Sequence, residues 1–255
     1  MTVTGMDVNI TIVMALLRPA FRFVWNLIVP SAPASSEPYG SHVPVLAVLA
    51  MYLRPRRVLE LGCGLYSTPM FLDSACWPSL EHLTSIETDD QWFQRVVSVV
   101  GRDPRWRPHI VESGGSVAQW LRSGRNDLNV GRYDLIFVDD SANDVERRRT
   151  LSALFSAHPR CPIVVHDVEK ARLRSCVWAR GPYIIFDAFS PQTGLCNLSA
   201  GAELSKLKRA NAVLRTLRNQ ALTASSLREW VAVGRAAIGQ LEVGCTRCRA
   251  QTSMM

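Results

Sequence analysis

The stretch Arg57-Val-Leu-Glu-Leu-Gly-Cys-Gly-Leu-Tyr-Ser-Thr68 carries the fold assignment. Val58, Leu59 and Leu61 make a short apolar strand interrupted by one carboxylate, Glu60. The strand runs into Gly62-Cys63-Gly64, and Ser67-Thr68-Pro69 opens a helix. Two glycines one residue apart let the backbone turn tightly and approach a ligand closely. Free N–H groups at the start of the following helix point into the crevice beyond the turn. A second carboxylate, Glu87, closes the next strand, Leu83-Thr-Ser-Ile-Glu87, where it is placed to hold ribose hydroxyls.

Charge narrows the ligand. A dinucleotide fingerprint has a third small residue for helix packing, and Ser67 stands in that place. Glu60, just before the turn, would repel a pyrophosphate and favour a cationic amino-acid group. S-adenosylmethionine, with an ammonium, a sulfonium, a ribose and no phosphate, fits this pattern. VLELGCGLYST (58–68) together with SIETDD (85–90) resembles the first two motifs of class I S-adenosylmethionine-dependent methyltransferases. The resemblance covers residues 41–200. It implies a doubly wound, mostly parallel seven-stranded α/β sheet with helices on both faces and an antiparallel end hairpin. The cofactor contacts it implies are Glu60, Gly62, Gly64, Ser67, Glu87, Ser113, Gly114 and Asp139. Tyr39, Ser41 and His42, at the start of the helix before the first strand, are further candidates over the cofactor's methionine part; a solvent-facing His42 is the alternative.

Composition sets the limits. With 47% hydrophobic and 20% charged residues, 255 residues make an ordinary globular chain with ample core. The net charge of +7 is uneven. Residues 1–200 hold 20 Lys+Arg against 19 Asp+Glu, whereas residues 201–255 hold 9 against 3. Seven scattered cysteines form no secreted disulfide framework. Cys245-Thr-Arg-Cys248 lacks the second ligand pair of a zinc site.

Along the chain, residues 1–40 read as an apolar helical arm and a Pro/Ser-rich linker, 41–200 as the catalytic domain, and 201–255 as a basic helical extension. Arg18, Pro19 and Arg22 divide the apolar run 8–29, which is too interrupted to span a membrane and lacks the basic start of a signal peptide. A packing helix, a dimer contact and peripheral membrane contact remain open for it, as does the oligomeric state. The expected location is cytoplasmic. Further elements are a crossover helix at 68–77, a helix at 89–101, a strand at 109–113, a strand ending at Asp139-Asp140, a helix at 144–158 with Arg147–Arg149 on its wet face, and a strand ending at His166-Asp167. Tyr183–Asp187 and Gly194–Leu198 read as the end hairpin, followed by a basic helix over 203–240. Apolar runs alternating with helices imply a parallel sheet buried on both faces.

Every polar constellation falls at a strand's carboxyl end, where ligands bind in open sheets. Asp139, His166 and Asp167 are therefore the catalytic candidates. Asp139 or His166 could serve as the base that deprotonates an oxygen or nitrogen acceptor, and His166 has the better unperturbed pKa. YDLIFVDDS and VVHDVE also resemble small-molecule O-methyltransferases that hold a divalent metal through strand-end carboxylates. Catechol-type members carry Asp-Asn, and sugar-type members Asp-Asp, where this chain has His166-Asp167. The expectation is accordingly a metal-independent enzyme, with Asp139, His166 and Asp167 as the ligand set if a divalent metal is held. The leading function is O-methylation of a small molecule. Aminopropyl transfer wants a more acidic pocket. A nucleic-acid methyltransferase would use the basic tail but lacks the Asn/Asp-Pro-Pro-Tyr/Phe motif. A non-catalytic S-adenosylmethionine-binding module completes the alternatives.

Overall fold

Arg57–Leu61 (β1) lies inside a seven-stranded sheet, flanked on both sides by parallel neighbours. The structure, a computed structural model, describes residues 40–111, 115–123, 133–141, 143–157, 160–198 and 202–222. Before β1 comes helix Val43–Leu53 (α1); after it come Ser67–Leu72 (α2), His82–Glu87 (β2), Asp90–Val100 (α3), Trp106–Ile110 (β3) and Val117–Arg122 (α4). The second half holds Leu135–Val138 (β4), Asp144–Ala157 (α5), Ile163–His166 (β5), Ala171–Trp178 (α6), Ile184–Phe186 (β6), Thr193–Cys196 (β7) and Ala202–Leu222 (α7). The strand order is β3-β2-β1-β4-β5-β7-β6. The first five strands are parallel, and β7 runs antiparallel between β5 and β6.

Alternation within each strand splits the core into two layers. Val58, Leu83, Leu135, Phe137 and Val164 face α1, α2 and α7. Leu59, Leu61, Ile136, Val138, Ile163 and Val165 face α4, α5 and α6. A sheet covered on both faces explains why β4 and β5 read as near-continuous apolar runs, and β1 does so apart from Glu60. Leu207, Ala210, Leu214 and Leu217 of α7 are buried in the first layer, and Arg215 forks onto Asp187 at 2.6 and 2.7 Å. The first turns of the basic C-terminal stretch thus pack against the sheet.

Two elements differ from the sequence expectation. The third strand spans Trp106–Ile110 rather than 109–113, because pairing with β2 runs from Leu83 opposite Trp106 to Glu87 opposite Ile110. Pro108 is tolerated there since β3 is an edge strand. The first crossover helix stops at Leu72: Asp73 leaves helical backbone and its carboxylate accepts the Ala75 N–H at 2.8 Å. No described helix is long and apolar enough to cross a membrane. The arm at 8–29, Tyr39, Ser113, Gly114 and the Cys245–Cys248 pair lie outside the described residues.

Candidate active site

The glycine turn is set by the neighbouring strand. Gly62 has φ +87°, and a Cβ there would lie 2.2 Å from the Asp139 carbonyl oxygen. Leu61 O accepts the Asp139 N–H at 2.7 Å, and the Gly62 N–H donates to Ile86 O at 2.8 Å. Only glycine allows the end of β4 to come this close, so Gly62 places Asp139.

Glu60 lies deeper than its place before the turn suggests. Strand alternation turns it into the layer beneath α2, where it has no exposed surface. Its carboxylate accepts hydroxyl hydrogens from Ser67 at 2.6 Å, Thr68 at 2.8 Å and Ser85 at 2.5 Å. Ser85 in turn accepts the Trp106 indole N–H, and Thr68 accepts the Gly64 N–H. Glu60 and Ser67 therefore lock the turn from below. Burial pushes the Glu60 carboxyl up to about 7, against the pull of the three hydroxyls.

Glu87 is the carboxylate beside the turn. Its Oε1 accepts the backbone N–H groups of Thr88 at 2.7 Å and Asp89 at 3.0 Å, which fixes the side chain. Its Oε2 meets the weak donor Cys63 Sγ at 3.6 Å, which leaves that oxygen with acceptor capacity. Gly64, Leu65 and Tyr66 are the half-exposed part of the turn.

At the ends of β4 and β5 a residue of the supposed wet face takes over. Arg147 is 2% exposed. Its Nη2 donates to Asp139 Oδ1 at 2.8 Å, and its Nη1 donates to His166 O at 2.9 Å and Asp167 Oδ2 at 3.1 Å. Asp140 Oδ1 lies 3.8 Å from its Nε, and Asp140 Oδ2 accepts from Thr150 Oγ1 at 2.5 Å. The signal was the spacing Arg147–Leu151–Leu154, which sets Arg147 on the buried stripe of α5. Arg148 and Arg149 hid it by making the run look solvated. Asp167, with φ +59°, adopts the left-handed turn that aspartate tolerates and swings its carboxylate back onto this guanidinium.

The acid–base order is the reverse of the unperturbed one. Burial lowers His166 to about 4, with Asp167 opposing and Arg147 assisting. Burial raises Asp139 to about 7, the Arg147 charge opposing it. Asp139 keeps 30% of its side-chain surface, whereas His166 keeps 6% and has Thr193 Oγ1 3.3 Å from its Nδ1. His42 is not at the surface either. It precedes α1 without capping it, is 3% exposed, and sets its ring edge-on to His166 at 4.8 Å between centroids and 5.3 Å from Phe137. Ser41 holds this corner by donating to Pro191 O at 3.0 Å, which uses its single donor.

Strand order 3-2-1-4-5-7-6, with only the seventh strand antiparallel, defines the class I S-adenosylmethionine-dependent methyltransferase fold, and this chain has it. No protein-family model matches the sequence, and no curated protein matches it. Solved structures similar to it include human methyltransferase-like protein 13 in complex with SAH, at 16% identity and TM-score 0.47, covering 69% of this chain and 90% of that one. Another is the O-methyltransferase TomG from Streptomyces achromogenes, involved in tomaymycin synthesis and in complex with SAM, at 18% identity and TM-score 0.45, covering 66% of this chain and 80% of that one.

Proposed function

We propose that this chain transfers a methyl group from S-adenosylmethionine to an oxygen of a small molecule. The observation that carries the reading is the division of one sheet edge into two unlike halves. At β1 and β2 stand a turn with glycines at 62 and 64 and a fixed carboxylate, Glu87, with one oxygen still able to accept. At β4 and β5 stand a half-open carboxylate and two buried imidazoles.

The first half fits the nucleoside. Gly64 offers no side chain to block it, and Glu87 Oε2 can accept a ribose hydroxyl. When bound, S-adenosylmethionine supplies a methyl group activated on its sulfonium. Asp139 receives the acceptor's hydroxyl proton on Oδ2, since Arg147 holds Oδ1 and so aims the other oxygen. A base with a pKa of about 7 is matched to neutral solution. Neutral His166 orients the hydroxyl. The bound cofactor would supply the methyl carbon to the deprotonated acceptor oxygen, the carbon–sulfur electrons staying on sulfur, so that S-adenosylhomocysteine would leave. Positioning supplies much of the rate.

Calorimetry with S-adenosylmethionine and S-adenosylhomocysteine tests the first half, and release of S-adenosylhomocysteine with a panel of hydroxylated acceptors tests the second. Binding of both nucleosides with turnover on hydroxyl acceptors is the expected result. Absence of nucleoside binding overturns the reading; tight binding without turnover on any acceptor makes the chain a binding module.

A further inference from the structure

Three side chains from separate segments converge beside the strand ends: His42 ahead of α1, Asp139 after β4 and His166 at the end of β5. One ligand atom from each lies within 4.8 Å of the other two. Both ring nitrogens of His42 lack a hydrogen-bond partner among the described residues, although the ring is almost fully buried. A buried polar group without a partner is costly, and beside Phe137 this ring has His166 and Asp139, both metal ligands by type, within reach. The local charge points the same way. Asp139, Asp140 and Asp167 face a single guanidinium, Arg147, which leaves an excess of carboxylate for another cation.

We propose that His42, Asp139 and His166 hold a divalent transition-metal ion. Two neutral imidazoles and one carboxylate suit Zn2+, Fe2+ or Co2+ better than Mg2+ or Ca2+, which prefer all-oxygen sites. Three protein ligands leave at least one position for solvent or an acceptor oxygen. Metal–ligand bonds of about 2.0–2.2 Å require the three groups to draw together by roughly 1 Å. Thr193 Oγ1, at 3.3 Å from His166 Nδ1, is the outer partner that orients the ring, and Nε2, now 3.5 Å from Asp167 Oδ1, exchanges that longer contact for the ion. Asp167 stands outside the set of three: Arg147 holds its Oδ2, and its Oδ1 lies 3.5 Å from His166 Nε2. The proposal deepens the reading of the site given above without resting on it. Where the ion is bound, Asp139 and His166 serve as its ligands, and the free-base role of Asp139 belongs to the metal-free protein.

The test uses the whole chain, stripped with a chelator and then titrated with Zn2+ or Co2+ in the absence of nucleoside and acceptor. Metal content by mass spectrometry and the d–d absorption of Co2+ read the site without turnover. The expected result is one ion per chain, with His42→Phe losing it, Asp167→Asn keeping it, and Thr193→Val binding roughly 10–100-fold more weakly. Less than stoichiometric binding by the unaltered protein, or unchanged binding by His42→Phe, overturns the proposal. So does loss with Asp167→Asn alone. X-ray absorption of the unaltered Co2+ protein decides the matter even if a variant does not fold: two imidazoles are expected in the first shell, and fewer overturn it. Because these readouts need no S-adenosylmethionine, they stay separate from failure of the methyltransferase reading.

Discussion

The Arg147 guanidinium lies 2.8 Å from the Asp139 carboxylate, almost without solvent, and the same group ties down Asp167 and the backbone of His166. One buried fork thereby joins the ends of β4 and β5 and fixes which Asp139 oxygen faces the crevice. Removing one partner of such a pair leaves buried charge uncompensated. Arg147→Ala should therefore lower unfolding stability by about 3–5 kcal/mol in denaturant titration. Arg147→Lys should recover only part of this, since an ammonium cannot reproduce the fork. A loss within a few tenths of a kcal/mol for the alanine variant would contradict the buried network.

Glu87→Ala should weaken S-adenosylmethionine binding by about 1–3 kcal/mol, the scale of hydrogen bonds to a charged group. Calorimetry measures it directly. Unchanged affinity would remove Glu87 from the nucleoside site.

Asp139→Asn should cut turnover by roughly 10²–10⁴-fold, the usual contribution of a general base, while nucleoside affinity holds. In the unaltered, metal-free protein, kcat/KM should rise with pH through about 7, as Asp139 loses its proton. A pH profile with no limb near neutrality, or an active asparagine variant, would transfer the role elsewhere.

Gly62→Ala should cost at least 1–3 kcal/mol, because the position combines φ +87° with the Asp139 carbonyl 2.2 Å from any Cβ. Gly64→Ala should cost less, since its Cβ would meet only the Ser67 hydroxyl, at 2.7 Å, which can rotate. Equal losses of thermal stability for the two variants would refute this account of the turn.

Glu60 makes stability depend on pH with a definite sign. Its carboxyl is raised from 4.5 to about 7 in the folded chain, so between those values the folded state binds more protons than the unfolded one. Stability from this group is complete below about pH 4.5 and is lost as pH rises through 7, by roughly 3 kcal/mol at most. Glu60→Gln should flatten that slope in urea titrations from pH 5 to 8. A parallel slope in both proteins would show that Glu60 ionises normally.

The sequence alone determined the sheet and the turn. Strands buried on both faces read as apolar runs, and β4 and β5 declare themselves that way, as does β1 apart from Glu60. A strand followed by Gly-x-Gly placed the crevice at the carboxyl edge, where Glu87, Asp139 and His166 stand. β3 was harder to delimit, because an edge strand tolerates Pro108 and carries no apolar run. What only the tertiary structure decided is which polar groups meet. Glu60 turned out to brace the loop because alternation points it into the helix-covered layer, and that direction depends on what lies above the strand. Arg147 came from a different helix, ahead of Asp167 in the chain by twenty residues, and His42 from ahead of the first strand. Contacts between groups so far apart in sequence are fixed by how the layers stack, and no local pattern of residues records them.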